Sequence, residues 1–224
     1  SRLFPLTKVT NKHLLPVGTE PMIYYPIKRI IEAGILEILI VTGMDHMGDV
    51  VNLLGSGKDF GCRFTYKVQD EAGGIAQALG LAENFAGGEP ILVILGDNIF
   101  TASLADAVKK FKSGAHIFVK EVHDPGRYGV ATLQGDKIIA IEEKPKNPKS
   151  NYAVTGLYIY DNNIFKIIKT LKPSDRGELE ITDVNNGYIQ QKQMGYTPLT
   201  GDWTDAGTFE SLYHANQLIY GLNR

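Results

Sequence analysis

The sequence predicts an α/β fold, because helix-like and strand-like segments alternate along the first half of the chain. Apolar residues at helical spacing from Met22 to Ala33 end at Gly34, and a strand-like segment runs from Ile35 to Val41. A helix from Met47 to Leu54 and a strand from Arg63 to Val68 continue the alternation. Such alternation is typical of a mainly parallel sheet with helices on both faces.

The next segments predict a buried strand that ends in a carboxylate. A helix is expected from Ile75 to Phe85, followed by an unbroken apolar run from Ile91 to Leu95. This run ends at Gly96-Asp97-Asn98. Ligands of open α/β sheets bind at the carboxyl ends of the strands. Asp97 is therefore a candidate functional residue.

The second half of the chain is richer in strands. After a helix from Leu104 to Phe111, strand-like segments joined by short turns follow at Ala115 to Glu121, Tyr128 to Leu133, Lys137 to Glu143 and Tyr152 to Tyr160. Further helices are predicted at Asn162 to Leu171, Leu179 to Gln190 and Phe209 to Tyr220, with a strand at Met194 to Leu199. We therefore expect a mixed sheet with a strand-rich lobe, in a single domain spanning residues 1–224.

Composition narrows the class of protein. A chain of 224 residues with 43% hydrophobic content can bury the core of one large α/β domain. A net charge of −2 and a pI of about 6.2 argue against a nucleic-acid partner. Cys62 is the sole cysteine, which excludes an intrachain disulfide and fits a cytoplasmic protein. The apolar runs are shorter than a membrane span, so no membrane association is expected.

A second carboxylate comes from the segment Trp203 to Thr208, which the sequence presents as turn-rich and which precedes a helix. Magnesium prefers hard oxygen ligands, often one or two carboxylates completed by water and substrate phosphates. Asp97 and Asp205 at two loop positions therefore predict a magnesium site and a phosphate-bearing substrate. The five histidines are scattered without metal-ligand spacing, which argues against zinc.

Several other candidates have a simpler alternative. Gly73 and Gly74 before a helix allow a ligand to approach the backbone, but also form ordinary turns. Gln69 at a strand end has an amide that can pair with a nucleobase or with water. Arg2 and Lys12 lie in an irregular, proline-containing segment, where they can bind phosphate or face solvent.

The strand ending at Glu142-Glu143-Lys144-Pro145 presents the same choice. Such a group of charged residues usually faces solvent. However, the strand from Tyr152 to Gly156 contains small residues, which would leave room for a ligand beside that strand. The acids in Gly177 to Asp183 lie near a helix start, where they complement the helix dipole. We interpret that segment as mainly structural.

The order of these segments resembles the sugar-phosphate nucleotidylyltransferases. The resemblance covers essentially the whole chain and rests on Ser1-Arg2-Leu3, Lys12 to Val17, Gln69 with Gly73-Gly74, Gly96-Asp97-Asn98, Arg127 to Val130, Glu143-Lys144-Pro145 and Trp203 to Thr208. The stretches Asn151 to Tyr160 and Arg176 to Asn185 match especially closely. The resemblance implies a Rossmann-like nucleotide-diphosphate-sugar transferase fold, with residues 1–112 mainly binding the nucleotide and 113–224 mainly the sugar.

The activity implied by the resemblance is Mg²⁺-dependent transfer of a nucleotidyl group from dTTP to glucose 1-phosphate. Asp97 and Asp205 would hold the metal, Arg2 and Lys12 would neutralise the triphosphate, and Lys144 would bind the sugar phosphate. The nucleotide-binding residues implied are Gln69, Gly74 and Asp97. The sugar-binding residues implied are Leu95, Tyr128, Gly129, Glu143, Lys144, Val154 and Tyr158.

Alternatives remain within and outside this class. UTP can replace dTTP, since uracil lacks only the methyl group of thymine, and one methyl group contributes only about 1 kcal/mol to discrimination. Another hexose 1-phosphate can replace glucose 1-phosphate. The family opens with a strand and a glycine-rich loop, of which only Arg2 is present here. We therefore expect either part of a longer enzyme or a weak catalyst that still binds ligand, and a noncatalytic regulatory subunit stays open. Apolar faces left uncovered also predict a homo-oligomer.

Overall fold

The computed structural model describes residues 2–222, so Ser1 of the N-terminal motif, Asn223 and Arg224 lie outside it. The helices are α1 (Tyr24–Glu32), α2 (Met47–Leu54), α3 (Ile75–Gly80), α4 (Glu83–Ala86), α5 (Ala105–Lys110), α6 (Ile164–Ile168), α7 (Ile181–Gln190) and α8 (Phe209–Leu222). The strands are β1 (Pro16–Val17), β2 (Glu20–Pro21), β3 (Glu37–Gly43), β4 (Arg63–Gln69), β5 (Ile91–Ile94), β6 (Asn98–Phe100), β7 (Ala115–Glu121), β8 (Gly129–Gln134), β9 (Lys137–Glu143), β10 (Tyr152–Tyr160), β11 (Met194–Pro198) and β12 (Trp203–Asp205).

Elements with strong periodicity lie where the sequence predicts them. Helix α2 has the predicted bounds and buries Val50 and Leu54, which are one turn apart. Strands β7, β9 and β10 also begin and end at the predicted residues. For these segments the local pattern of apolar residues is sufficient to define the element.

Two of the predicted segments have a different structure from the one predicted. The helix expected from Ile75 to Phe85 is broken into α3 and α4, since α3 ends at Gly80 and glycine is a poor helix former. Trp203 to Asp205, expected to be turn-rich, forms the short strand β12 because it pairs with β6. No local pattern in three residues reveals a partner strand so distant in sequence.

The chain divides into two compact units. The first unit comprises the chain up to Val68, Ile94–Lys109 and the chain from Thr200 onward, and the second comprises Gln69–Val93 and Lys110–Leu199. Both units are discontinuous in sequence, and the division into functional halves at residues 112 and 113 stays a prediction. The single domain over residues 1–224 stays a prediction.

The first unit contains three pairs of strands. β1 and β2 are antiparallel, β6 and β12 are antiparallel, and β3 pairs with β4. One core cluster packs Ile99 of β6 beside Ala206 and against Leu212 and Ile219 of α8. A second cluster joins α1, α2, β3 and β4 and includes the buried Cys62. Strand β6 and the residue that follows β12 thus contribute to an apolar core.

The second unit is built on a six-stranded sheet with the order β11-β7-β10-β8-β9, and β5 also pairs with β10. The pair β11–β7 is parallel, whereas β7–β10, β10–β8 and β8–β9 are antiparallel. The mixed α/β class and the strand-rich lobe are confirmed. The expectation of mainly parallel pairing is wrong along this path: a short turn joins β8 to β9 and makes them antiparallel, and β10 then returns to pair antiparallel with both β7 and β8.

Among residues 2–222, no helix is both long enough and apolar enough to cross a bilayer.

Candidate functional site

The pairing of β6 with β12 positions two carboxylates that are distant in sequence. Asp97 directly precedes β6, and Asp205 at the end of β12 lies opposite Asn98 in the antiparallel register. The backbone N–H of Ala206 donates to the carbonyl oxygen of Asp97 at 2.8 Å, which extends the ladder by one step. Asp97 and Asp205 therefore lie together at the same end of the β6–β12 pair. We call these two residues the aspartate pair.

Gly207 leaves open the space that both carboxylates face. A Cβ atom at this position would lie 3.2 Å from Asp205 Oδ2 and 3.7 Å from Asp97 Oδ2, so the two oxygens flank a common point. The same Cβ would lie 3.2 Å from Arg2 Nη2. A larger residue here would crowd the charged groups. The structure thus brings together the residues that the sequence named as metal ligands.

Two cations accompany the aspartate pair. Lys12 Nζ donates to Asp97 Oδ2 at 2.6 Å, and Arg2 Nη2 lies 3.9 Å from Asp205 Oδ2. Burial alone would raise the pKa of Asp97, but the ammonium of Lys12, with a smaller contribution from His13, holds this pKa below its ordinary value. Asp97 is therefore ionised at neutral pH, with a cation beside each carboxylate.

His13 is a neighbour of this site that the sequence did not identify. Its ring packs on Gly96, where a Cβ would lie only 2.9 Å from His13 Cδ2, so only glycine fits beside Asp97. Burial, and then the charge of Lys12, lower the pKa of His13 to about 4. The imidazole is therefore neutral at physiological pH. The sole available signal was that His13 directly follows Lys12 in the chain.

The donor set of the aspartate pair fits a hard cation. Within residues 2–222, no group of three or more His, Cys, Asp or Glu side chains is arranged to hold a metal ion. Two carboxylates facing one point suit Mg²⁺, which commonly takes one or two protein carboxylates and completes its shell with water and phosphate oxygens. They do not suit zinc, which prefers nitrogen and sulfur ligands.

In the second unit, the structure brings Gln69 and Gly74 together. Gln69 Nε2 donates to the carbonyl oxygen of Gly74 at 3.1 Å and to Gln77 Oε1 at 2.7 Å. Gly74 has a φ of 94°, and a Cβ there would lie 2.5 Å from the carbonyl oxygen of Leu179, so glycine is required. These contacts fix the Gln69 amide at the start of α3.

A second group of charges surrounds Glu143. Gly129 faces Glu143 across the β8–β9 ladder, and the Lys144 N–H donates to the carbonyl oxygen of Tyr128 at 2.9 Å. Lys144 Nζ lies 3.3 Å from Glu143 Oε1, while Thr182 Oγ1 donates to Glu143 Oε2 at 2.8 Å. The predicted residues Tyr128, Gly129, Glu143 and Lys144 therefore lie together.

Arg176 belongs to the same group, although the sequence analysis did not single it out. Its Nη2 lies 3.6 Å from Glu143 Oε1 and donates to both carboxylate oxygens of Glu180 at 2.9 Å. We name Glu143, Lys144, Arg176 and Thr182 the Glu143 cluster. The available signal was that Arg176 opens the segment Arg176 to Asn185, which matches the family so closely.

The remaining predicted sugar-binding residues lie on other elements. Val154 and Tyr158 are buried in β10, where a register shift between them interrupts the pairing with β7. The Tyr158 ring stacks on Tyr160 at a centroid distance of 5.7 Å. Leu95 lies in the first unit, immediately before Gly96. Binding roles for all these residues stay predictions.

The α/β fold carries the aspartate pair, and sequence comparison identifies the family to which a chain with this fold belongs. The profile of the nucleotidyl transferase family matches residues 1–220. The chain therefore belongs to the nucleotidyl transferase family, which confirms the resemblance described above.

Individual relatives are consistent with this assignment. Glucose-1-phosphate thymidylyltransferase from Neisseria meningitidis is 42% identical over 98% of this chain and 78% of its own length. The enzyme of the same name from Xanthomonas campestris is 44% identical over 98% of this chain and 77% of its own.

Solved structures resemble the chain in fold. A Bacillus anthracis crystal structure assigned as a glucose-1-phosphate thymidylyltransferase, in complex with a sucrose, has a TM-score of 0.93 and 58% identity, covering 97% of this chain and 89% of that one. A UDP-glucose pyrophosphorylase complexed with UDP-glucose has a TM-score of 0.87 and 28% identity. The match covers 100% of this chain and 95% of that chain. The predicted fold class is thereby confirmed.

Proposed function

We propose that this chain transfers a thymidylyl group from dTTP to glucose 1-phosphate, giving dTDP-glucose and pyrophosphate. The observation that carries the proposal is the convergence of Asp97 and Asp205 on one point, with Lys12 and Arg2 beside them. The names of the relatives supply the substrates, since enzymes 42% and 44% identical over nearly the whole chain are glucose-1-phosphate thymidylyltransferases.

In the proposed reaction, an oxygen of the sugar phosphate attacks the α-phosphorus of dTTP. A new P–O bond forms there, the bond from the α-phosphorus to the bridging oxygen breaks, and pyrophosphate leaves with those electrons. The protein supplies no nucleophile, so its contribution is alignment and charge neutralisation. Asp97 and Asp205 would hold Mg²⁺, which when bound neutralises phosphate charge.

Lys12 and Arg2 provide the fixed positive charge on the nucleotide side. Lys12 is already held at the aspartate pair by its 2.6 Å contact with Asp97 Oδ2. Arg2 is more exposed and lies 3.9 Å from Asp205 Oδ2, so it can reach a phosphate without leaving the pair. Cations of this kind would bind the triphosphate and the leaving pyrophosphate.

The Glu143 cluster would bind the sugar phosphate. Lys144 and Arg176 both lie against Glu143 Oε1 and are about half exposed, so their charges can bind an incoming phosphate. Thr182 fixes the other oxygen of Glu143, which leaves this carboxylate oriented to accept hydrogen bonds from sugar hydroxyls. Gly129, Tyr128, Val154, Tyr158 and Leu95 would complete the contacts to the sugar.

Gln69 and Gly74 would bind the base. Both Gln69 N–H groups are engaged, one by Gly74 and one by Gln77, which directs Oε1 away from them. An amide oxygen held in this way can accept from the imide N–H of thymine or uracil. Because these bases share that edge, UTP is the second candidate, and the similarity to a UDP-glucose pyrophosphorylase favours including it.

Pyrophosphate release in the presence of Mg²⁺ tests the proposal directly. The chain should release pyrophosphate from dTTP only when glucose 1-phosphate and Mg²⁺ are both present, and a panel of dTTP, UTP and other hexose 1-phosphates ranks the substrates by kcat/KM. A higher kcat/KM for UTP than for dTTP would make UTP the proposed substrate. Tight binding of dTTP without any pyrophosphate release would instead support the noncatalytic regulatory subunit.

We also propose that the chain acts as a cytoplasmic homo-oligomer forming a single domain per copy, without a nucleic-acid partner. The single cysteine supports the cytoplasmic location, and the net charge of −2 argues against a nucleic-acid partner. Light scattering at several concentrations measures the mass in solution, and a monomeric mass throughout would contradict it.

A further inference from the structure

A chain of hydrogen bonds leads from β12 to the aspartate pair. Trp203 Nε1 donates to Asn98 Oδ1 at 2.8 Å, and Asn98 Nδ2 donates to Asp97 Oδ1 at 3.1 Å. Asn98 and Trp203 are buried, with exposed fractions of 2% and 8%. Polar groups at such positions need defined partners, because a buried group without one costs free energy.

The indole fixes the orientation of the Asn98 amide. An indole N–H is a donor only, so it requires the amide oxygen as its acceptor. The Asn98 NH₂ group must then point the opposite way, toward Asp97. The β6–β12 register makes this possible, since Asp205 lies opposite Asn98 and Trp203 is two residues away on the same face of β12.

The amide in turn fixes the carboxylate of Asp97. Its Oδ1 is held by Asn98 Nδ2, which leaves Oδ2 to face Lys12 and the common point near Gly207. A carboxylate held at one oxygen cannot rotate freely about its Cβ–Cγ bond. The other oxygen is therefore presented toward Asp205 before any ligand arrives.

We propose that Asn98 is a positioning residue, anchored by the Trp203 indole, that presents Asp97 Oδ2 to the metal ion and phosphate expected at the aspartate pair. The inference rests on the proposed function, because the bound group is the one proposed there. It goes further by giving Asn98 and Trp203 a role in metal affinity. Partners that orient metal ligands typically contribute 10- to 100-fold in affinity or activity.

Two variants remove different parts of this arrangement. Asn98→Ala removes the donor to Asp97, whereas Trp203→Phe retains a smaller aromatic ring and removes the N–H that orients the amide. Thr204→Val is the matched control, because Thr204 is also buried in β12 but its side chain points to the opposite face from Trp203 and Asp205. Thermal unfolding of each variant shows whether it is folded.

The main measurement is Mn²⁺ binding by electron paramagnetic resonance in the presence of dTTP, which does not depend on turnover. We expect Asn98→Ala to weaken Mn²⁺ binding by about 10-fold or more and Trp203→Phe by about 3-fold. The Mg²⁺ concentration giving half-maximal activity should rise in parallel, while the KM for glucose 1-phosphate changes less than about 2-fold. Thr204→Val should bind Mn²⁺ like the wild type.

The outcomes separate this inference from the proposed function. Wild-type Mn²⁺ affinity in folded Asn98→Ala and Trp203→Phe overturns the positioning role, whatever the activity of the wild type. Equal weakening in Thr204→Val also overturns it, because the effect would then be general loosening of β12. Failure of the wild type to release pyrophosphate would instead reject the proposed function, and the Mn²⁺ titration would still decide the role of Asn98.

Discussion

The aspartate pair and the Glu143 cluster are built in opposite ways. Asp97 and Asp205 meet only because β6 pairs with β12, and their side chains are about 15% exposed. Glu143 and Lys144 are adjacent in the chain at the end of a hairpin, and Lys144 is 47% exposed. The first group depends on tertiary structure and burial, and the second mainly on local sequence.

The difference predicts different consequences of substitution. Charges at the aspartate pair are largely removed from water and already paired, so their loss should affect the chemical step. Charges at the Glu143 cluster are screened by solvent and lie ready for a substrate, so their loss should affect binding of that substrate. Three experiments, from the largest expected effect to the smallest, test the contrast.

Asp205→Asn should have the largest effect. An amide is a poorer ligand than a carboxylate for a hard cation, so we expect turnover to fall by about 100-fold or more with folding retained. Asp202→Asn is the control, because it removes the same charge from an exposed position on the same segment. Steady-state pyrophosphate release measures both, and similar activity in the two variants would contradict the role of Asp205.

Lys144→Ala should act on one substrate. The KM for glucose 1-phosphate should rise by roughly 10-fold, the value of one charge-assisted contact, while the KM for dTTP stays nearly constant. Lys149→Ala is the control, since Lys149 pairs with the neighbouring Glu142 on the surface. Equal increases in both KM values would indicate that Lys144 binds the triphosphate. No increase in either KM would indicate that Lys144 is a solvated surface charge.

The response of stability to pH should be the smallest of the three effects. Because burial and Lys12 lower the pKa of His13 from 6.5 to about 4, the unfolded chain takes up this proton before the folded one. The His13 contribution is therefore present above pH 6.5 and is lost as the pH falls toward 4. His13→Gln should reduce the loss of the free energy of unfolding that acid causes.

The contribution of Asp183, which lies near Glu143, to the free energy of unfolding should change with pH in the opposite direction. Burial, then Glu180 and Glu143, raise the pKa of Asp183, so the folded chain holds this proton more tightly and gains stability as the pH falls. Urea unfolding between pH 7 and pH 4.5 measures the slopes, with His214→Gln at an exposed position as the control. An unchanged slope in His13→Gln would show that the imidazole is not held neutral.

Much of the fold could be predicted because its strongest signals are local. The bounds of α2, β7, β9 and β10 follow from apolar residues at periods of 3.6 and 2, which any short window of sequence contains. The direction of pairing was predicted less well. Whether neighbouring strands run parallel depends on which strands meet, and alternation of elements does not determine that.

The candidate site residues also divide into those that local sequence identifies and those that only contacts between distant segments identify. Glu143 and Lys144 could be identified as one group because they are neighbours at a strand end. Arg176 and Thr182 join them only through the packing of distant segments, so the charge pattern alone does not separate Arg176 from other surface charges. His13 likewise becomes part of the site only because its ring packs on Gly96.

By itself, the sequence determined the α/β class, the family and the residue types available for the chemistry, since these depend on composition, periodicity and the order of motifs. Tertiary structure alone decided that Asp205 meets Asp97, that Lys12 lowers the pKa of that carboxyl, and that Trp203 orients Asn98. The physical reason is that hydrogen bonds and charge interactions act over a few ångströms. The pairing of β6 with β12 brings Asp205 and Trp203 within that range of Asp97 and Asn98, and the packing of the N-terminal segment brings Lys12 within that range of Asp97.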